Sequence, residues 1–204
     1  MTDAERESRA PVLPSQRFAL QRLGAPRLDG AAVYLRRAPL DELIFAAGYA
    51  PDRLQAAVLV GTVGPGDPAS FVEIAGYADL DAWPNDTALV RAWLDDQIPM
   101  RRRVERMGAG MTLVGHAIVR PGAGSRPTAA DERLHRTFLN LPWQVTVLID
   151  PKDRTVGVWG VDPDGALINV GFNLVTPRRD GAPDADASDE TPGAPAPATD
   201  TEPA

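Results

Sequence analysis

The sequence contains no cysteine. Disulfides, thiolate zinc sites and cysteine nucleophiles are therefore all excluded. Histidine is nearly missing too, with His116 and His135 the only imidazoles in 204 residues. No apolar run approaches the ~20 residues that a membrane helix needs. The opening stretch MTDAERESRAPVLPSQ also lacks the apolar centre of a signal peptide. A cytoplasmic protein with no membrane role is the expectation. Positive charge is not in excess, and a net charge of -7 gives no general pull toward nucleic acid. The one basic cluster, Arg101, Arg102, Arg103 and Arg106, lacks the interleaved aromatics of a nucleic-acid platform and reads as a solvated helix face.

What remains is an ordinary globular mixture, 44% hydrophobic and 24% charged, long enough for one domain with a full core. Residues 177–204 stand apart from it. They hold six prolines, seven acidic residues and two arginines, and nothing apolar larger than alanine and proline. Such a segment cannot bury enough surface to offset the entropy of ordering it. It carries -5 of the net charge of -7, so the rest of the chain is close to neutral. The expected organisation is a flexible N-terminal segment (1–27), one domain (28–176) and a disordered acidic tail (177–204).

Within the domain, hydrophobic periodicity predicts strands over 31–37, 55–63, 70–80, 111–119, 145–150, 155–161 and 166–175. Helices are expected over 39–50, where Asp41 and Glu42 would favour the N-terminal dipole, from the capping residues Asn85, Asp86 and Thr87 onward, and over 131–141. Pro99 should interrupt the second helix and leave MRRRVERM as a short basic extension. GPGDP and PGAGSRP read as turns, because neither matches a phosphate-binding loop. Strict βαβ alternation is missing. The fold class is therefore a mixed α/β (α+β) domain with a curved, mostly antiparallel sheet flanked by helices. Among the four tryptophans, Trp143, which follows Pro142 before a strand, is the candidate for an exposed binding ring. Glu73 alternates with Val72 and Ile74 and should face solvent. His116 and His135 read as ordinary, partly exposed residues, although Asp131 and His135, one helical turn apart, could in principle chelate.

The segment Gly115 to Asp131, GHAIVRPGAGSRPTAAD, resembles the metal-binding segment of the MPN (JAB/JAMM) family, whose active members read roughly G-W-Y-H-S-H-P-G-x-G-x-x-x-S-x-x-D. The register matches without a gap. Gly115, Pro121, Gly122, Gly124 and Asp131 fall on family positions, and Thr128 replaces the family serine. VTVLIDPKDRTVGVWGV resembles the family's following strand and turn, and the strand ending at Gly61 resembles the one that carries its glutamate. The similarity runs over residues 31–175.

In active relatives two strand histidines and the helix aspartate hold zinc, and the glutamate takes a proton from the bound water. The resemblance puts Ile118 and Arg120 at the histidine positions and Leu54 at the glutamate position, so Asp131 alone survives. It implies a domain without metal or cofactor, and a protein-binding scaffold in place of a metalloprotease. The implied partner is another protein, either an MPN paralogue or a second copy. Two alternatives stay open: a zinc-dependent isopeptidase or peptidase with a non-standard site, and a module that binds a peptide or carboxylate in the vacated groove near Arg120, Asp131 and Trp143. Strand parity should project Arg120 toward Asp131, where a guanidinium could replace the ion as a fixed cation.

Overall fold

A computed structural model describes residues 18–24, 30–65, 69–95 and 110–177. The basic cluster, its expected helical extension and the acidic tail beyond Pro177 lie outside these residues. Nine strands form one sheet in the order β1-β9-β2-β4-β3-β5-β6-β7-β8. They are β1 (Phe18–Leu23), β2 (Ala32–Arg36), β3 (Leu54–Val63), β4 (Phe71–Trp83), β5 (Thr112–Val119), β6 (Val145–Asp150), β7 (Thr155–Val161), β8 (Leu167–Asn169) and β9 (Phe172–Pro177). Three helices accompany them: α1 (Arg37–Ala46), which continues into a 3-10 turn at Ala47–Tyr49, α2 (Asp86–Asp95) and α3 (Ala129–Phe138).

Parallel pairing is confined to β2 with β4, β2 with β9, and β5 with β6, and the other pairs are antiparallel. The mixed, mostly antiparallel sheet expected from the sequence is thus observed. Register shifts in the middle of β3, against both β4 and β5, insert bulges that bend the sheet. Two glycines make that bend possible. A Cβ at Gly61 would stand 1.7 Å from the Glu73 carbonyl oxygen, and one at Gly115 would stand 2.0 Å from that of Val145. At both places the strands approach too closely for any side chain.

Each face of the sheet carries its own core. On one side Leu40, Leu43 and Ala47 of the first helical unit pack with Val33, Leu35, Ala57, Leu59, Val72, Ile74 and the odd-numbered residues of β6. On the other side Leu89, Val90 and Trp93 of α2 and Leu134 of α3 cover Leu54, Ala56, Val58, Val60, Ile118 and Leu148. Full burial of each such aliphatic side chain contributes roughly 1.5–3 kcal/mol, so neither face can be stripped without losing the domain.

Several sequence expectations need correction. Phe18–Leu23, placed in a flexible N-terminal segment, is an edge strand fully registered with β9, from Phe18↔Pro177 to Leu23↔Phe172. The expected strand at 166–175 is two strands, because the chain leaves β7 after Asn169 and joins β2 and β1 from Phe172. Helix α1 starts at Arg37, so Asp41 and Glu42 miss its first turn, and Asp41 instead pairs with Arg37 one turn earlier. Helix α3 opens at Ala129 and ends at Phe138, which makes Asp131 its third residue. Glu73 does alternate with Val72 and Ile74, but the opposite face is also closed. Its carboxylate is 1% exposed and accepts hydrogen bonds from Arg36 (2.8 Å) and Thr62 (3.3 Å).

Candidate functional site

The positions that the family resemblance singles out converge on the face under α2 and α3. Strand β5 runs beside β3 in the register Ala56↔Ile118 and Gln55↔Val119, which brings Leu54 next to Arg120 at the strand ends. Period-two alternation then aims His116, Ile118 and Arg120 at the helices. From β6, Thr146, Leu148 and Asp150 face the same way by the same rule.

Between β5 and α3 the PGAGSRP turn is fixed by two anchors. Asp150, fully buried, accepts the amides of Gly122 (2.8 Å) and Gly124 (2.6 Å), together with those of Lys152 and Asp153 in the next turn. Burial alone would raise the Asp150 pKa, but these four N–H donors outweigh it and hold the carboxyl below its usual value. The second anchor is Trp159, whose indole N–H donates to the Ser125 carbonyl at 2.9 Å. The turn delivers the chain to Thr128, the N-cap of α3. Thr128 Oγ1 accepts the Asp131 amide, and the Asp131 carboxylate accepts the Thr128 amide at 2.7 Å, which completes a capping box. An aspartate at the third helical position therefore turns its carboxylate back toward β5.

There it meets Arg120. Nη1 donates to Asp131 Oδ2 at 2.8 Å and Nη2 to Oδ1 at 2.7 Å, a two-pronged pair of the kind a planar guanidinium favours. Nε and Nη2 also donate to Asp86 Oδ1, at 3.1 and 2.5 Å. Asp131 is fully buried, the Arg120 side chain is 12% exposed and Asp86 is 36% exposed. Burial pulls the guanidinium pKa down, yet hydrogen bonds and charge from Asp131, then Asp86, more than offset it, so Arg120 stays a cation. The expected Arg120 to Asp131 contact is thus present. Asp86 was legible only as a capping residue, and its role as a second carboxylate needs the packing of α2 on α3 to be seen.

Behind the pair lies a second polar group that the sequence did not reveal. The Thr146 hydroxyl sits between His135 Nδ1 (2.8 Å) and His116 Nε2 (3.0 Å). Both histidines are completely buried, which corrects the expectation that they are partly exposed. Trp93 stands edge-on to His116, with ring centroids 5.2 Å apart. His116 Nδ1 and His135 Nε2 have no hydrogen-bond partner among the described residues. Burial, then the neighbouring His135, pushes the His116 pKa down to about 3 against the opposing pull of Asp131, and burial pushes that of His135 down to about 4. Both imidazoles are neutral at physiological pH.

These donors do not suit a zinc ion. The family positions supply two aliphatic side chains, one cation, and one carboxylate whose oxygens are already bonded to Arg120 and Thr128. His135 is turned to Thr146 and not toward an ion shared with Asp131. Among the described residues no group of three or more His, Cys, Asp or Glu side chains is arranged to hold a metal. Trp143 does not join the site either. It is half-buried and packs on the opposite core, beside Val33 and Val170. Among the described residues no helix is long and apolar enough to cross a membrane.

No protein-family model matches this sequence, and no curated protein is significantly similar to it. Among solved structures, the chain is similar to the protein DSY2949 from Desulfitobacterium hafniense, with 18% identity and a TM-score of 0.45 over 67% of this chain and 88% of that one. It is also similar to AF2198, a JAB1/MPN domain protein from Archaeoglobus fulgidus, with 15% identity and a TM-score of 0.39 over 67% of this chain and 95% of that one. Superpositions at these scores establish neither family nor function.

Proposed function

We propose that this chain is a metal-free MPN-like domain that works as a protein-binding or scaffold subunit of a larger assembly, without hydrolytic activity. One observation carries the reading. The guanidinium of Arg120 stands where the motif register calls for a zinc ligand, and it is clamped onto the one remaining ligand residue, Asp131, by bonds of 2.8 and 2.7 Å. A cation that belongs to the protein thereby satisfies the carboxylate permanently. Such a site has no open coordination position and no water made acidic by a metal. It keeps the architecture of β5, turn and α3 while giving up the chemistry.

The carboxylate-binding alternative fits less well. Four hydrogen bonds already join Arg120 to Asp131 and Asp86, out of the five N–H donors a guanidinium has. An incoming chain terminus would first have to displace Asp86.

The test is purification of the full chain from its native cell, with metal content and partner proteins measured on the same sample. The expected result is co-purification in stoichiometric amount with another protein or a second copy, at less than stoichiometric zinc. Stoichiometric zinc with chelator-sensitive cleavage of a peptide or isopeptide bond would overturn the reading.

A further inference from the structure

A groove of about 320 Å³ runs between α2 and the start of α3. Its floor is apolar, built from Val90, Leu94, Ala129 and Ala130, and its rim carries Arg91 and Arg133. Leu94 is 45% exposed, unusual for a large aliphatic side chain on a helix that otherwise buries its apolar face. Neither rim guanidinium has a hydrogen-bond or ion-pair partner among the described residues. Glu132 is paired with Arg136, and Asp86 leans on Arg120, which Asp131 also shares. The groove is therefore apolar below, with two guanidiniums above that no carboxylate among the described residues holds in a direct pair. The larger groove at the start of α1 differs: its Arg36 is paired with Glu73 and its Arg37 with Asp41.

The same chain contains a segment of the complementary kind. Residues 180–204 hold seven acidic side chains and no basic one, interspersed with alanine and proline, and Asp184, Asp186, Asp189 and Glu190 fall within seven residues. Small apolar side chains suit a shallow floor, and carboxylates suit guanidinium rims. The topology also brings the segment within reach. Strands β9, β2 and β4 are mutually parallel neighbours, so Pro177 and Trp83 leave the sheet on the same side, and α2 begins three residues after Trp83. Two strand spacings, roughly 10 Å, separate β9 from β4. The register sets Pro177 level with Tyr77, six residues or ~20 Å short of Trp83 along β4. An extended chain covers the combined distance of ~22 Å in about seven residues at ~3.3 Å each, which is the spacing from Pro177 to Asp184. A tethered segment also experiences an effective concentration of about millimolar order, so charge pairs at the rim and apolar contacts on the floor have to supply together only what a millimolar affinity requires.

We propose that the acidic segment around Asp184–Glu190 docks in this groove of its own chain, between Arg91 and Arg133, as a built-in occupant that an acidic partner must displace. The proposal does not depend on the family reading above.

Absence of cysteine makes the test direct. A nitroxide on Ala187→Cys in the full chain carries the only spin label, and amide signals of the folded domain report its neighbours. The expected result is loss of amide intensity at 87–94 and 129–133 in a dilute sample. That loss should disappear in R91E/R133E, and equally in D184N/D186N/D189N/E190Q, which leaves the folded residues untouched. Absence of broadening at these helices, or broadening unchanged in both variants, overturns the proposal. So does broadening that appears only when labelled chain is mixed with unlabelled, isotope-enriched chain, since the occupant would then be a second copy.

Discussion

Arg120 and Asp131 are joined through both oxygens of one carboxylate, and that carboxylate also closes the N-terminal cap of the helix bearing it. Pair and helix start are thus a single device. Removing the cation strands a fully buried negative charge, a loss typically of about 3–5 kcal/mol. Arg120→Ala should lower the urea midpoint accordingly. The double variant R120A/D131A should recover part of the loss, because the only carboxylate it leaves without Arg120 is that of Asp86, which is 36% exposed and can be hydrated. Unchanged melting of R120A would show that the pair contributes nothing.

The buried histidines predict acid lability. Both bind a proton near pH 6.5 in an unfolded chain, but only near pH 3 and 4 when folded. Below about pH 6.5 the unfolded state therefore holds more protons than the folded one, and stability falls as pH falls from 6.5 toward 4. Above 6.5 neither state binds them, and their contribution is flat. The slope approaches about 1.4 kcal/mol per pH unit for each histidine. Urea midpoints between pH 4.5 and 8 should trace this decline, and H116Q/H135Q should flatten it. An unaltered slope in that double variant would place the acid sensitivity elsewhere.

Asp150 governs the turn that connects the two halves of the site. Asp150→Ala would leave the Gly122 and Gly124 amides without their acceptor; because Gly122 is exposed and Gly124 half-buried, water replaces it in part and the loss is about 1 kcal/mol for each charge-assisted bond. Hydrogen exchange at Gly122 and Gly124 should accelerate more than at the amides of β3. Equal acceleration everywhere would mean that the aspartate supports the whole domain and not this turn.

Gly115→Ala gives the most severe prediction. Its Cβ would collide with backbone, at 2.0 Å from the Val145 carbonyl oxygen, and backbone has no rotamer to retreat into. A loss above about 4 kcal/mol is expected, in the range reserved for gross steric conflict. Soluble, fully folded G115A with a normal midpoint would contradict the close approach of β5 and β6.

Periodicity revealed most of the elements because both strands and helices bury regular stripes here. Strands β6 and β7 fall at 145–150 and 155–161, as expected. The Arg120 to Asp131 contact was legible from strand parity and the motif register together. Burial on the second face was not. Alternation tells which side a strand residue takes, and not whether that side is covered, so it leaves Glu73 facing solvent; the neighbours of His116 and His135 in sequence likewise suggest partial exposure and give no sign that α2 and α3 close that face. Asp86 joins the site only through the packing of α2 against α3, and Thr146 only through the parallel pairing of β6 with β5. Residues 18–23 gave no signal because their strand depends on a partner about 150 positions away.

That distant pairing governs how the protein can be made. Strand β9 lies between β1 and β2, so until residue 177 has left the ribosome both of those strands have an open hydrogen-bonding edge. A nascent chain must wait for β9 before the sheet can close on that side, and the interval favours association with chaperones or with other nascent copies.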